Sequence, residues 1–218
     1  RIGDSGKYGG YGDIRHSVSI MLDGFRAYGT EDIARELWHS ARYDVDRIKR
    51  ELNIYAADPM AVVDELQQMK PELPIELESD NRSGYGLAVM QTKYSDDGRC
   101  AYISYGRTCG SHPHKDRLNL GIFAKDVVMN PDLAYPEYTG GWPKRHAWTN
   151  HTFSHNTVTV NDRKQDCNWS GKTELFFGGD TARLAIIDGG PFGPRASGLN
   201  PPIYEDVSTY KRAASLID

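Results

Sequence analysis

YGLAVMQTKYSDDGRCAYISYG, residues 85–106, decides the fold. Two runs rich in strand-forming residues flank the turn signal Ser95-Asp96-Asp97-Gly98, which is the pattern of a β-hairpin. Upstream of Gly84 the apolar period is that of a helix. Val18, Met21, Leu22, Phe25 and Tyr28 follow the i, i+3, i+4, i+7 spacing of a buried stripe, and Gly29 stops it. Thr30 then caps a second helix with Glu31 and Asp32 in its first turn; this helix is expected to run to about Arg50, burying Ile33, Leu37, Ala41, Val45 and Ile48. Asp58-Pro59 starts a third, ending before Pro71.

Downstream of the hairpin, RLNLGIFA, DVVM, HNTVTVN, ELFFGG and ARLAIID read as further strands, with Asn161-Asp162 a turn and TYKRAASLID strand-like at the end. The tract PELPIELESDNRSG marks the boundary, so residues 1–75 are expected to be helical and residues 76–218 antiparallel β. Helices first and strands afterwards specify an α+β multidomain chain, an all-α region followed by a β-sandwich.

Composition excludes several function classes. Of 218 residues, 39% are hydrophobic and 11% aromatic, ample for a packed core. The net charge of -4 comes with no Lys/Arg run that could neutralise a row of phosphates, so neither nucleic acid nor a charged membrane surface is an expected partner. No segment approaches the roughly 20 apolar residues of a membrane span. Cys100, Cys109 and Cys167 are too few and too scattered for a disulfide framework or a CxxC zinc knuckle, and leave the redox compartment open. The chain begins Arg1-Ile2-Gly3-Asp4 and reads as an excerpt of a longer protein.

Chemistry concentrates in SHPHKDRLNL, residues 111–120. His112, His114 and Asp116 occupy alternate positions, so an extended chain turns all three to one face. Crowded imidazoles and carboxylate can hold a metal, act as acid and base, or decorate a wet face. A second signal is FSHNTVTVND, where His155 opens an alternating segment with Val158 and Val160 on one face and Thr157 and Thr159 on the other. Between them, Asp132 follows an apolar strand. His114, Asp132 and His155 together form a reasonable zinc set with room for a fourth ligand or water. Asp132 beside Pro131 also fits a plain turn residue.

The order GSHPHKDRLNLGIFAKD, PDLAYPEY, WTNHTFSHNTVTVNDRKQ resembles the heparinase II/III-like polysaccharide lyases, including the spacing of 18 residues from His114 to Asp132. IGDS near the start and SGYGLAVMQ at the hairpin extend the likeness over nearly the whole chain. The resemblance implies the end of an (α/α) toroid followed by an antiparallel β-sandwich, with the remainder of the toroid as a partner. It implies His112 as the catalytic histidine and His114, Asp132 and His155 as holders of a structural zinc. The implied reaction is β-elimination at a 4-linked uronic acid of alginate or a glycosaminoglycan. Removing the C5 proton requires a group that neutralises the carboxylate, a base, and an acid for the leaving oxygen. Arg107, Arg117 and Arg145 are candidates to pair with the acidic polysaccharide or oligosaccharide, and Trp142 and Trp148 to stack on its rings. The family's catalytic Tyr and its Asn or His partner have no counterpart here; Tyr8 and Tyr11 match no part of the pattern, so this chain alone is expected to be inactive.

Two other readings compete. HPHKD matches the HxHxD of metallo-β-lactamase-like hydrolases, but that motif continues with His where this chain has Arg117. A sandwich with exposed aromatics also suits a carbohydrate-binding module without chemistry of its own.

Overall fold

The computed structural model describes residues 14–72, 75–95, 97–108, 114–125, 127–132, 143–165, 171–190, 192 and 207–218. Contacts divide them into a helical unit ending at Ile75 and a β unit beginning at Glu76.

The helical unit contains α1 (Ile14–Tyr28), α2 (Glu31–Ser40), α3 (Val45–Lys49) and α4 (Ala61–Gln68). Val18, Leu22 and Phe25 of α1 are buried as the spacing predicts, whereas Tyr28 stands 76% exposed, beyond the edge of the stripe. Gly29 adopts φ +61, the left-handed conformation that ends a helix at little cost to glycine, and the Thr30 hydroxyl accepts from the Ile33 amide. The second helix does not reach Arg50. It stops at Ser40, because Arg42 and Tyr43 both take positive φ, and Asp44 then caps α3 by accepting from the Asp46 amide (2.9 Å). Of the core residues expected of the longer helix, Leu37, Ala41 and Ile48 are fully buried across the break, while Ile33 and Val45 are partly buried against the same core. Asp58 accepts from the amides of Met60 and Ala61, but the third predicted helix starts later than Asp58-Pro59 would place it: Met60 is the N-cap, without a side-chain cap bond, and α4 begins at Ala61. Trp38 ties α2 to α4 by donating its indole N–H to the Leu66 carbonyl (2.9 Å), which satisfies the ring's polar atom inside the core.

The β unit holds three sheets. One runs β2 (Asp80–Arg82), β3 (Leu87–Gln91), β5 (Arg99–Ser104), β6 (Asn119–Ala124), β7 (Val127–Val128); the second runs β10 (Lys211–Ile217), β9 (Ala182–Asp188), β8 (Lys172–Gly178). A two-stranded ladder joins β1 (Ile75–Glu76) to β4 (Lys93–Tyr94). Within the two larger sheets every neighbouring pair is antiparallel. The deciding hairpin is β3–β5, with Met90 opposite Ala101 and Val89 opposite Tyr102.

Burial alternates along β3 and β9, and the buried positions meet. Ala88, Met90, Ala101 and Ile103 of the larger sheet pack with Ala185 and Ile187 of the smaller, closed at one side by Leu118, Phe192 and Tyr210. These are the inner faces of a sandwich. The tract expected to be a boundary supplies β1 and β2.

One expected strand is absent. HNTVTVN forms no ladder; Thr152–Ser154 is a 3₁₀ turn, followed by irregular chain and a single bridge from Val160 to Arg163. The Asn161-Asp162 turn is present, both residues at positive φ. The alternation in this segment serves side-chain hydrogen bonds instead: Thr157 turns inward and Val158 is 46% exposed.

Gly86 combines two backbone demands, a φ of +84 and a Cα facing Gly106 so closely that a Cβ would lie 2.2 Å from the Gly106 Cα. Gly86→Ala is therefore expected to destabilise the β unit by at least about 2 kcal/mol, adding left-handed strain to a backbone collision. A lower urea midpoint at unchanged m-value is the reading that checks it.

Candidate functional site

Four buried side chains meet at the start of β6. One ligand-capable atom from each of His114, Asp116, Asp132 and His155 lies within 4.8 Å of all the others. The His114 Nδ1 and His155 Nε2 atoms are 2.8 Å apart; Asp132 Oδ1 is 3.6 Å from His114 Nδ1, and Asp132 Oδ2 is 3.6 Å from His155 Nε2. The side chains of His114, His155 and Asp132 are wholly excluded from solvent.

The HxHxD segment reaches this geometry as a bend rather than a strand. Residues 114–118 precede β6 in bend and turn conformation, with Leu118 at φ 60 and the Asn119 amide donating back to the Asp116 carbonyl (2.8 Å). His114 and Asp116 still end on one side, through loop geometry.

His155 arrives on a segment docked against that bend, and Asp132 on the chain that follows β7. A π-helical turn, Arg145–Thr149, and the 3₁₀ turn after it are fixed by Lys115 donating its amide to the Asn150 carbonyl (3.0 Å) and by Thr152 donating its hydroxyl to the Lys115 carbonyl (2.6 Å). His155 follows at once. Its Nδ1 lies 2.9 Å from the His151 carbonyl, which can only accept, so Nδ1 carries a proton, and in the neutral ring Nε2 is the lone-pair nitrogen that faces the cluster. This is the tautomer a ligand histidine needs, with the opposite ring nitrogen anchored on a backbone carbonyl. Asp132 is steered by Asn119, whose amide nitrogen donates to Oδ2 (3.3 Å) while its oxygen accepts from the Asn156 amide (2.9 Å).

Two imidazoles and two carboxylates in the interior constitute a concentrated charge problem. Burial, together with the Asp132 carboxylate, pushes the Asp116 carboxyl up, although His155 and His114 oppose the shift. The field reaches Tyr102, whose phenol is pushed up to about 12, first by burial and then by Asp132 and Asp116. The cluster could hold a divalent cation, which would compensate both carboxylates at once, and the mixed nitrogen and oxygen donor set suits a borderline metal ion.

The remaining expected site residues are more dispersed. Arg107 is exposed, and Arg145 and Trp148 sit on the π-helical turn, Trp148 49% exposed. Arg117 is 1% exposed, lying under the Tyr210 ring inside the sandwich. That position gives it a place in the core packing rather than on a solvent-facing binding surface. His112 and Trp142, like Tyr8 and Tyr11, fall outside the described residues.

The backbone of Arg117 anchors a hub that sequence reading missed. Its carbonyl accepts from the hydroxyls of Thr157 and Tyr210 (both 2.6 Å) and from the Gln165 amide (3.2 Å), and Gln165 also reaches Val158 O (3.2 Å) and the Tyr210 hydroxyl (2.7 Å). Gln165 closes the segment as well: its backbone amide donates to the Thr152 hydroxyl (2.7 Å). Single amides spaced irregularly along a chain have no periodic signature. The available signal was the resemblance of WTNHTFSHNTVTVNDRKQ, which ends on this Gln.

Comparison with known proteins finds a family match over part of the chain. Residues 80–183 match the family model described as Heparinase II/III-like, C-terminal. Similar solved structures include a heparinase III gene product, with 13% identity and a TM-score of 0.53 over 92% of this chain and 26% of that one. Another is heparan sulfate lyase HepC from Pedobacter heparinus, with 12% identity and a TM-score of 0.55 over 81% of this chain and 23% of that one. At such identity the likeness establishes the fold, and this chain spans about a quarter of the length of each. No curated protein matches it.

Gln165→Leu is expected to cost about 2–3 kcal/mol, since it strands buried partners, whereas Val158→Thr at the exposed neighbouring position should stay within about 0.5 kcal/mol. Paired thermal melts of the two variants decide this.

Proposed function

We propose that this chain, which carries a heparinase II/III-like C-terminal region over residues 80–183, is the C-terminal part of the catalytic region of a polysaccharide lyase that cleaves uronic-acid-containing chains by β-elimination. The observation that carries this reading is the convergence of His114, Asp132 and His155, from three separate segments, in the order and spacing for which the resemblance implies a structural metal.

The chemistry assigns roles by position. Zinc held by His114, Asp132 and His155 fixes the β6 entrance to the docked segment; its contribution is rigidity. His112 precedes His114 by two residues, so covalent connectivity keeps it within about 7 Å of an anchored Cα. An imidazole titrating near 6.5 is suited to take the C5 proton at neutral pH. Arg107 and Arg145 carry positive charge suited to the uronate, and Trp148 offers an exposed ring face to a sugar. Heparan-type glycosaminoglycan and alginate both supply the uronate this scheme requires. The leaving-oxygen acid and its Asn or His partner come from the remainder of a toroid.

His112→Ala in the intact protein is expected to lower lyase activity by about 10²-fold or more, with melting temperature and metal content nearly unchanged. The assay is the absorbance of the unsaturated uronate product on heparan sulfate and on alginate. Binding of either polymer with no unsaturated product would make the chain a carbohydrate-binding sandwich instead. His155→Ala, in contrast, should lower the melting temperature and the zinc content together, and chelation of the wild type should reproduce that loss.

A further inference from the structure

His114, Asp132 and His155 alone leave a tetrahedral ion with one open position, the arrangement of a catalytic site that keeps an exchangeable water. The interior around them argues otherwise. Asp116 contributes a carboxylate oxygen to the same cluster, 4.8 Å or less from each of the other three ligand atoms. The residue is 5% exposed, and its Oδ2 is buried without a hydrogen-bond partner. A buried carboxylate oxygen left without a donor costs roughly 1–3 kcal/mol or more, and such atoms in a well-packed interior call for a specific counterpart.

We propose that Asp116 is the fourth ligand of the metal centre and closes it, so that the ion has no position for water or substrate. The inference rests on the metal reading given above and adds to it the coordination number and the character of the site.

Three observations support closure. Charge balance comes first: two neutral imidazoles and two carboxylates bring a divalent ion to net zero within one coordination sphere, whereas a three-residue set leaves a +1 centre and the Asp116 carboxylate as two separately desolvated buried charges. Geometry comes second. Donor atoms about 2.1 Å from a tetrahedral ion stand about 3.4 Å from one another, and the observed 2.8 and 3.6 Å separations bracket that value. A side-chain adjustment of about 1.4 Å at the widest pair brings all four into range. The third is the chain path. Asp116 is carried on the same tight bend as His114, pinned by the Asn119 amide on its own carbonyl, so the second carboxylate is preset by the backbone.

Replacing the native ion with cobalt(II) in the intact protein makes the coordination visible. A closed centre shows the intense visible bands of four-coordinate cobalt, and these do not change on adding azide, a small anion that occupies open positions. Asp116→Ala should lower cobalt affinity by more than the 10–100-fold typical of outer-shell changes, and the cobalt it retains at saturation should then respond to azide. Asp116→Asn, which keeps one oxygen donor but removes the charge, should weaken binding while leaving the bands insensitive. Azide-sensitive bands in the wild type would overturn closure whether or not any variant folds, while leaving the three-residue metal reading intact. No stoichiometric uptake of zinc or cobalt by the wild type would remove both, and is distinguished by that absence. Asp116→Ala with wild-type affinity and unchanged bands would show Asp116 to be a bystander.

Discussion

The constraint on which the β unit depends is the desolvated charge at the mouth of β6. The side chains of His114, Asp132 and His155 are excluded from water, and Asp116 is nearly so. Such a group is tolerable only when every charge has a near partner. Two ring nitrogens 2.8 Å apart must have a proton or a cation between them, and with two carboxylates alongside, the cation settles more of the imbalance. Because the four residues come from the bend before β6, the chain after β7 and the docked 143–165 segment, meeting that constraint cross-links parts of the chain that share no ladder. On the proposed metal reading, an ion here would do for the loops what a disulfide does for a small secreted domain.

The docked segment needs such help because it gives up backbone pairing. Where a strand would place its amides in a ladder, this segment rests in part on side chains: the amide of Asn156 on Asn119 and that of Gln165 on Thr152, with the side chains of Thr157, Tyr210 and Gln165 gathered on the carbonyl of Arg117. Buried polar groups are satisfied individually there, so each amide or hydroxyl carries more consequence than a residue in a sheet. The same substitution of side chain for ladder occurs at the end of β6, where Asn130 bonds both the Leu120 carbonyl and the Ile122 amide and so sets the chain that delivers Asp132.

Legibility in the sequence followed from how local each cause was. The β3–β5 hairpin, the Gly29 stop and the Thr30 cap were readable because each depends on residues adjacent in the chain. The break between α2 and α3 was not, since Leu37, Ala41 and Ile48 keep one helical stripe across it and nothing periodic marks two successive left-handed residues. HNTVTVN was read as a strand because alternation of Val and Thr is the same whether amides pair with a ladder or hydroxyls pair with a carbonyl. The trio of His112, His114 and Asp116 was legible as one face, and His114 and Asp116 do share one, although a bend rather than a strand achieves it. Arg117 looked like a surface arginine by type alone; its neighbours Leu118 and Tyr210, both core residues, explain why it is interior.

Fold and chemistry are thereby divided between different parts of the sequence. The residues whose placement is tightly determined, the buried cluster and its amide supports, lie inside and away from solvent. Those suited to an acidic polysaccharide, Arg107, Arg145 and Trp148, are exposed or partly so, and two of them ride on the π-helical turn that the interior network fixes. On the proposed metal reading, such a centre would act through position, ordering the loops before any substrate arrives.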